Sequence, residues 1–166
     1  MTADDNADLG TVTMQGCPLE LLQRARRHGE ALVREFAFIV DGGGDNAELP
    51  KRLLAVVQHV RDSAGGLNTG AERAIDEALA RGDVAIDFEV VMPRAIGRGA
   101  PAFAALLDEI DAYCRAGDLL TLETPSDVRA FQHWYLEEMA RQIDGAPPTP
   151  WDAWRRAEAV RGPTRS

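Results

Sequence analysis

Between Thr124 and Trp151 the chain reads TPSDVRAFQHWYLEEMARQIDGAPPTPW, and apolar and polar positions separate most clearly here. Val128, Phe131, Tyr135 and Met139 recur at helical spacing with charged residues between them. Thr124 is placed to cap this helix, Pro125 suits its first position, and Asp127 sits at the positive N-terminal end. Asp144-Gly145 ends the helix, and Ala146-Pro147-Pro148-Thr149-Pro150 follows as a stiff extended strap carrying Trp151. Trp134 lies off the stripe that Tyr135 shares with Phe131 and Met139.

Upstream, Leu22, Ala25, Gly29, Leu32, Phe36 and Ile39 form one stripe, predicting a helix over about 18–40 that the run from Asp41 to Asn46 breaks. Pro50 opens a second helix with Leu53, Leu54, Val57 and Val60 on its apolar face, closed by Gly65-Gly66. Thr69-Gly70-Ala71-Glu72 reads as a capping box opening a third, which Gly82 ends. The period then switches to two. Val84, Ile86, Phe88, Val90 and Met92 alternate with Ala85, Asp87, Glu89 and Val91, predicting a half-buried strand.

A lone strand leaves its backbone unsatisfied, and the weak Leu119–Leu122 run is the only nearby partner. An extended strap across the helices, or pairing with another copy, are the alternatives. Gly97, Gly99 and Pro101 predict that any helix opening at Pro93 is interrupted or kinked, with a sound helix only from Pro101 to Gly117. Thr149-Pro150-Trp151-Asp152 repeats the pattern at Thr124 and predicts a last short helix to about Val160. Residues 1–16, polar and aperiodic, are expected to be a disordered leader, 17–151 a helical domain, and 152–166 a tail that is a short helix and then disordered. The fold class is therefore mostly α, a single-domain array of five to six helices with one extended segment near 84–92.

A chain of 166 residues buries about two-thirds of its unfolded surface, enough for one core. The net charge of −9 argues against a nucleic-acid partner, which needs a basic stripe; only Arg155 to Arg165 offers one. Cys17 and Cys114 have no CxxC spacing, so neither a disulfide framework nor a zinc site is expected, and a reducing cytoplasm is the simplest location. The acidic N-terminus lacks the basic flank of a signal peptide, and no apolar run approaches ~20 residues, so no membrane association is expected.

Candidate chemistry is sparse. VDGGGDN follows a helical pattern rather than a strand and no GKS or GKT is present, so it reads as a helix-to-helix loop. A kinase-type Asp-x-Gly-x-Gly also fails, because Asp45 holds the last position. Three residues before His28, His59 and His133 stand Ala25, Val56 and Ala130, so the Glu-x-x-His of di-metal bundles is absent, as is HExxH. No GxSxG occurs. Cys17, beside Pro18 near a helix start, is open to a lowered thiolate pKa, whereas Cys114 reads as core. The acidic runs Asp108-Glu109 with Asp111, and Glu137-Glu138, read as solvated faces.

No catalytic residue, cofactor or metal is expected, and the chain does not read as an enzyme. The aromatics are the better lead. Trp134, Trp151 and Trp154 are candidate anchors for a protein partner, since Trp, Tyr and Arg dominate hot spots. Against this stands folding of Trp151 through the strap onto the last long helix, because large aromatics usually bury.

The segments PLELLQRARRHGEALVREFAFIV, LLDEIDAYCRAGDLLTLETP and FQHWYLEEMARQIDGAPPTPW resemble a family of small, mostly helical actinobacterial proteins. That family is associated with partner-switching stress signalling, alongside anti-sigma kinases, their phosphorylatable antagonists and regulatory phosphatases. The resemblance covers 18–151 and implies a non-catalytic regulatory or accessory protein acting through protein–protein contact in an anti-sigma type pathway. The alternative reading is a small-ligand-binding helical module, with a pocket between helices near Arg129, His133 and Trp134.

Overall fold

The alternating segment finds a partner at the other end of the chain. In the computed structural model, which describes residues 8–43, 47–117 and 123–162, it forms strand β2 (Ala85–Pro93). Its antiparallel neighbour is β1 (Leu9–Pro18), in register from Leu9 opposite Pro93 to Pro18 opposite Ala85. This corrects the expectation of a disordered leader for residues 9–16; residues 1–7 and the Leu119–Leu122 run lie outside the described residues. The period of two was present in β1, where Gly10, Val12 and Met14 are buried and alternate with Thr11, Thr13 and Gln15. Threonine counts as polar in composition yet is a good strand former, and that hid the signal. Val84, counted on the inward face, precedes the strand and is exposed.

A two-stranded ribbon is marginal by itself because both outer edges carry unpaired backbone groups. Here a side-chain amide pairs with one residue on each edge. Gln142 accepts from the Thr13 N–H (2.8 Å) and donates to its carbonyl (2.9 Å) on the β1 side. Asn68 does the same for Val91 on the β2 side, at 2.7 and 3.0 Å. At the irregularity between Met14 and Cys17, Gly16 adopts a left-handed φ of 61° and donates to the Asp87 carboxylate at 2.6 Å.

Among the described residues six helices accompany the ribbon: α1 (Leu19–Asp41), α2 (Glu48–Ala64), α3 (Thr69–Arg81), α4 (Arg94–Ala116), α5 (Ser126–Ile143) and α6 (Trp151–Arg161). This is the mostly α fold anticipated. Two details differ. Helix α4 runs unbroken from Arg94 with Pro101 inside it, so the proline removes one helical hydrogen bond without ending the helix. None of the three threonines expected to cap does so: α3, α5 and α6 begin without a side-chain cap bond.

The core divides into two clusters. One surrounds the ribbon and the α5–α6 aromatics and includes Val12, Met14, Phe88, Phe131 and Trp134. The other lies between α1, α2 and α4, with Leu32, Phe36, Leu53, Leu106 and Ile110. Ile143, at the end of α5, fits between Gly10 of β1 and Gly97 of α4, and a Cβ on either glycine would collide with its side chain. Gly97→Ala is therefore expected to destabilise by about 1–3 kcal/mol of overpacking, partly offset by roughly 1 kcal/mol of helix propensity. Denaturant unfolding of Gly97→Ala, Ile143→Ala and the double variant tests this. Absence of coupling between the two positions would refute the close-packing account.

Candidate functional site

Helix α5 turns two faces inward. On one, Phe131, Trp134 and Glu138 meet the proline strap and α6. Trp134 is fully buried, and its Nε1–H donates to the Thr149 carbonyl at 3.0 Å. Trp151 packs at 5.5 Å from Trp134 and 5.8 Å from Phe131, while Trp154 stacks on Trp151 at 5.7 Å with ring planes 16° apart. The Trp154 Nε1–H donates to Glu137 at 2.8 Å, and the Arg155 guanidinium lies 5.5 Å from the Trp151 ring centre.

Exposure is 0% for Trp134, 9% for Trp151 and 7% for Trp154. The three tryptophans singled out as partner anchors are thus largely buried in the chain's own core, and of the three only Trp154 borders a surface groove. The stiff strap returns Trp151 onto α5, where burying large rings is favourable. Exposed large apolar side chains among the described residues are Leu9, Phe38, Leu67, Val84 and Val160, dispersed over separate elements.

Two carboxylates expected on solvated faces are buried. Glu138 accepts from the Thr149 N–H and from Gln142 Nε2, both at 2.8 Å, and pairs with Arg141. Arg141 in turn donates to Thr149 Oγ1 at 2.8 Å, so Thr149 is bonded through its amide, carbonyl and hydroxyl. Asp111 accepts from the Thr124 amide (3.0 Å) and hydroxyl (2.7 Å). Arg129 Nε lies 3.0 Å from the other Asp111 oxygen without aiming its N–H there, an ionic contact rather than a hydrogen bond. With the Thr124 proton committed to Asp111, His28 Nε2, 2.9 Å from the same hydroxyl, is the donor.

Burial holds the His28 imidazole below its ordinary 6.5, outweighing the attraction of Asp111. The unfolded chain therefore takes up a proton near pH 6.5 that the folded chain does not. Stability is intact above that pH, falls as pH drops below it, and levels once the folded imidazole protonates. His28→Gln is expected to flatten the fall between about pH 7.5 and about pH 5.5. Denaturant midpoints of the two proteins at both pH values check this, and equal slopes would refute it.

Other candidates resolve simply. Cys17 is buried with its thiol pushed up to about 12, opposite to the lowered value that its position before a helix suggested. Burial likewise pushes Cys114 up to about 11. His133 pairs with Asp108 at 3.1 Å at the surface. A groove of about 910 Å³ brings Arg129 and His133 together, but Trp134 does not line it. Asp108, Glu137 and Glu158 share its wall with Arg129, Arg141 and Arg155, so it is a mixed-charge surface.

The second inward face of α5, with Tyr135, Leu136 and Met139, opens on a different space. A cleft of about 900 Å³ lies between α1, α2, α4 and α5, and its wall is overwhelmingly hydrocarbon. Both core clusters border it, through Leu22 and Phe131 on one side and Leu32, Leu53 and Leu106 on the other. It stays open because the facing surfaces carry small residues: Ala25 and Gly29 on α1, Ala55 on α2, and Ala95, Gly99 and Ala100 on α4. A Cβ built on Gly29 or Gly99 meets nothing within 4 Å. Small residues inside otherwise apolar stripes were the available sequence signal, but a small residue equally permits close helix packing, as Gly97 does.

Fold and cleft together define a mostly helical protein with a two-stranded ribbon and an apolar cleft among four of its helices. Compared with family models, curated proteins and solved structures, the chain matches none. Among the described residues no helix is long and apolar enough to cross a membrane, and no three His, Cys, Asp or Glu side chains group as metal ligands.

Proposed function

We propose that this chain is a ligand-binding regulatory protein, whose cleft between α1, α2, α4 and α5 takes up an apolar small molecule. The observation that carries this reading is the cleft itself, about 900 Å³ of hydrocarbon-lined space held open by small residues. Ligand sites fall in the range of ~300–1,000 Å³ with mostly apolar walls. The resemblance over 18–151 to a partner-switching signalling family supports regulation as the use of such binding, with the ligand as input. A protein partner in that setting would meet a surface other than the buried tryptophans.

The test is titration with N-phenyl-1-naphthylamine, a neutral apolar fluorophore that brightens on leaving water. Saturable enhancement is expected, with a rise in melting temperature because binding to the native state stabilises it. Gly29→Leu and Gly99→Leu fill the cleft from positions where the backbone has room, and are expected to weaken binding at least roughly tenfold while keeping the fold. Enhancement that does not saturate, or that survives both substitutions unchanged, would overturn the proposal.

A further inference from the structure

An apolar wall says what the body of a ligand is made of, and the few polar groups on that wall say what its end must be. His59 and Gln132 also line the cleft but carry no fixed positive charge, and Arg52 is already paired with Glu109 at 2.9 Å. Arg26, one turn before Gly29 on α1, is exposed at the rim of the same cleft and has no carboxylate within ion-pair distance among the described residues. Tyr135 faces it from α5, and its hydroxyl makes no hydrogen bond among the described residues. Burial raises its phenol well above the ordinary range, so it remains a neutral donor. Arg26 stands in the N-terminal half of α1, which follows β1 directly, and Tyr135 packs against the ribbon-side cluster, so both belong to the ribbon end of the cleft. From Leu22 to Val33 the α1 wall runs roughly 16 Å along the helix.

We infer that the cleft selects an amphiphile with an anionic carboxylate head, held by the Arg26 guanidinium with the Tyr135 hydroxyl as second donor, and a hydrocarbon tail lying along α1 toward Leu32 and Leu106. This rests on the ligand-binding reading above and specifies its ligand class. A carboxylate accepts from a guanidinium and a phenol together, and such charge-assisted bonds are the strong ones. The tail supplies affinity in proportion to the apolar surface it removes from water.

Displacement of N-phenyl-1-naphthylamine from the full chain by dodecanoate, decanoate and dodecanol, at about pH 8 where the acids are ionised, tests the inference. Dodecanoate is expected to displace the probe at about tenfold lower concentration than dodecanol. Decanoate should need roughly fifteenfold more than dodecanoate, about fourfold for each methylene lost. Arg26→Gln is expected to bring the dodecanoate and dodecanol concentrations together, and Tyr135→Phe to narrow the gap by less. If dodecanol competes as well as dodecanoate, or the acid preference survives Arg26→Gln, the carboxylate assignment is wrong while the cleft reading stands. Equal potency of decanoate and dodecanoate would likewise remove the tail from the cleft. Failure of the neutral probe to bind overturns the cleft reading, and the head-group inference with it.

Discussion

Replacing Glu138 with alanine is expected to destabilise the protein by about 3–5 kcal/mol, the cost typical of breaking a buried ion pair from one side. The carboxylate is fully buried and serves three groups at once: the Thr149 amide, the Gln142 amide and the Arg141 guanidinium. Alanine would leave the Thr149 N–H without its acceptor and release Gln142, which also completes the outer edge of β1 at Thr13. Arg141 is about one-third exposed, so water would recover part of its share. Glu138→Gln keeps the volume and one acceptor oxygen, and should cost less. Denaturant midpoints of the three proteins decide the matter. A loss below about 1 kcal/mol for Glu138→Ala would mean that the strap is held by apolar packing alone.

Trp134→Ala is expected to cost a similar amount, about 3–5 kcal/mol, for a different reason. The indole touches Phe131 and Trp151 and is sealed from solvent, so truncation opens a cavity that α5 and the strap cannot close without moving. The Thr149 carbonyl also loses its donor. Trp134→Phe separates the two effects, since it retains most of the ring volume but not the N–H. It should recover most of the loss, leaving about 1 kcal/mol for the hydrogen bond. Thermal and denaturant unfolding measure both variants. Full stability of a folded Trp134→Ala protein would return this tryptophan to the role of an available anchor.

These two residues also show where a sequence reading loses its grip. Glu137 and Glu138 are identical in type and adjacent, and nothing local separates them. Yet Glu138 is fully buried beneath the strap, while Glu137 stays exposed and accepts from Trp154. Threonines 69, 124 and 149 all stand where a helix begins, as their neighbours signalled. Thr124 and Thr149 bond to other elements instead, because Asp111, Glu138 and Arg141 lie within reach once the chain is folded. The candidate site was the least legible part. Trp134, Trp151 and Trp154 drew notice by size and rarity, whereas the cleft is written in alanines and glycines, which draw none.

Local chemistry was enough to determine where most of the helices begin and end, though not the start of α4 or the presence of β1. Breakers and helix formers act through the backbone of a few neighbouring residues: Gly82 ends α3 at a left-handed φ of 77°, and Pro125 and Pro150 stand immediately before α5 and α6. The parity of β2 was equally local, since side chains on a strand must alternate. Tertiary structure alone decided that β1 pairs with β2, that Glu138 and Asp111 are buried, and that four helix faces leave a cleft. Each depends on which surfaces meet across long separations in the chain, 129 residues in the case of Thr13 and Gln142. A cleft has no residue of its own to announce it; it exists only where small side chains on α1, α2 and α4 come to face one another.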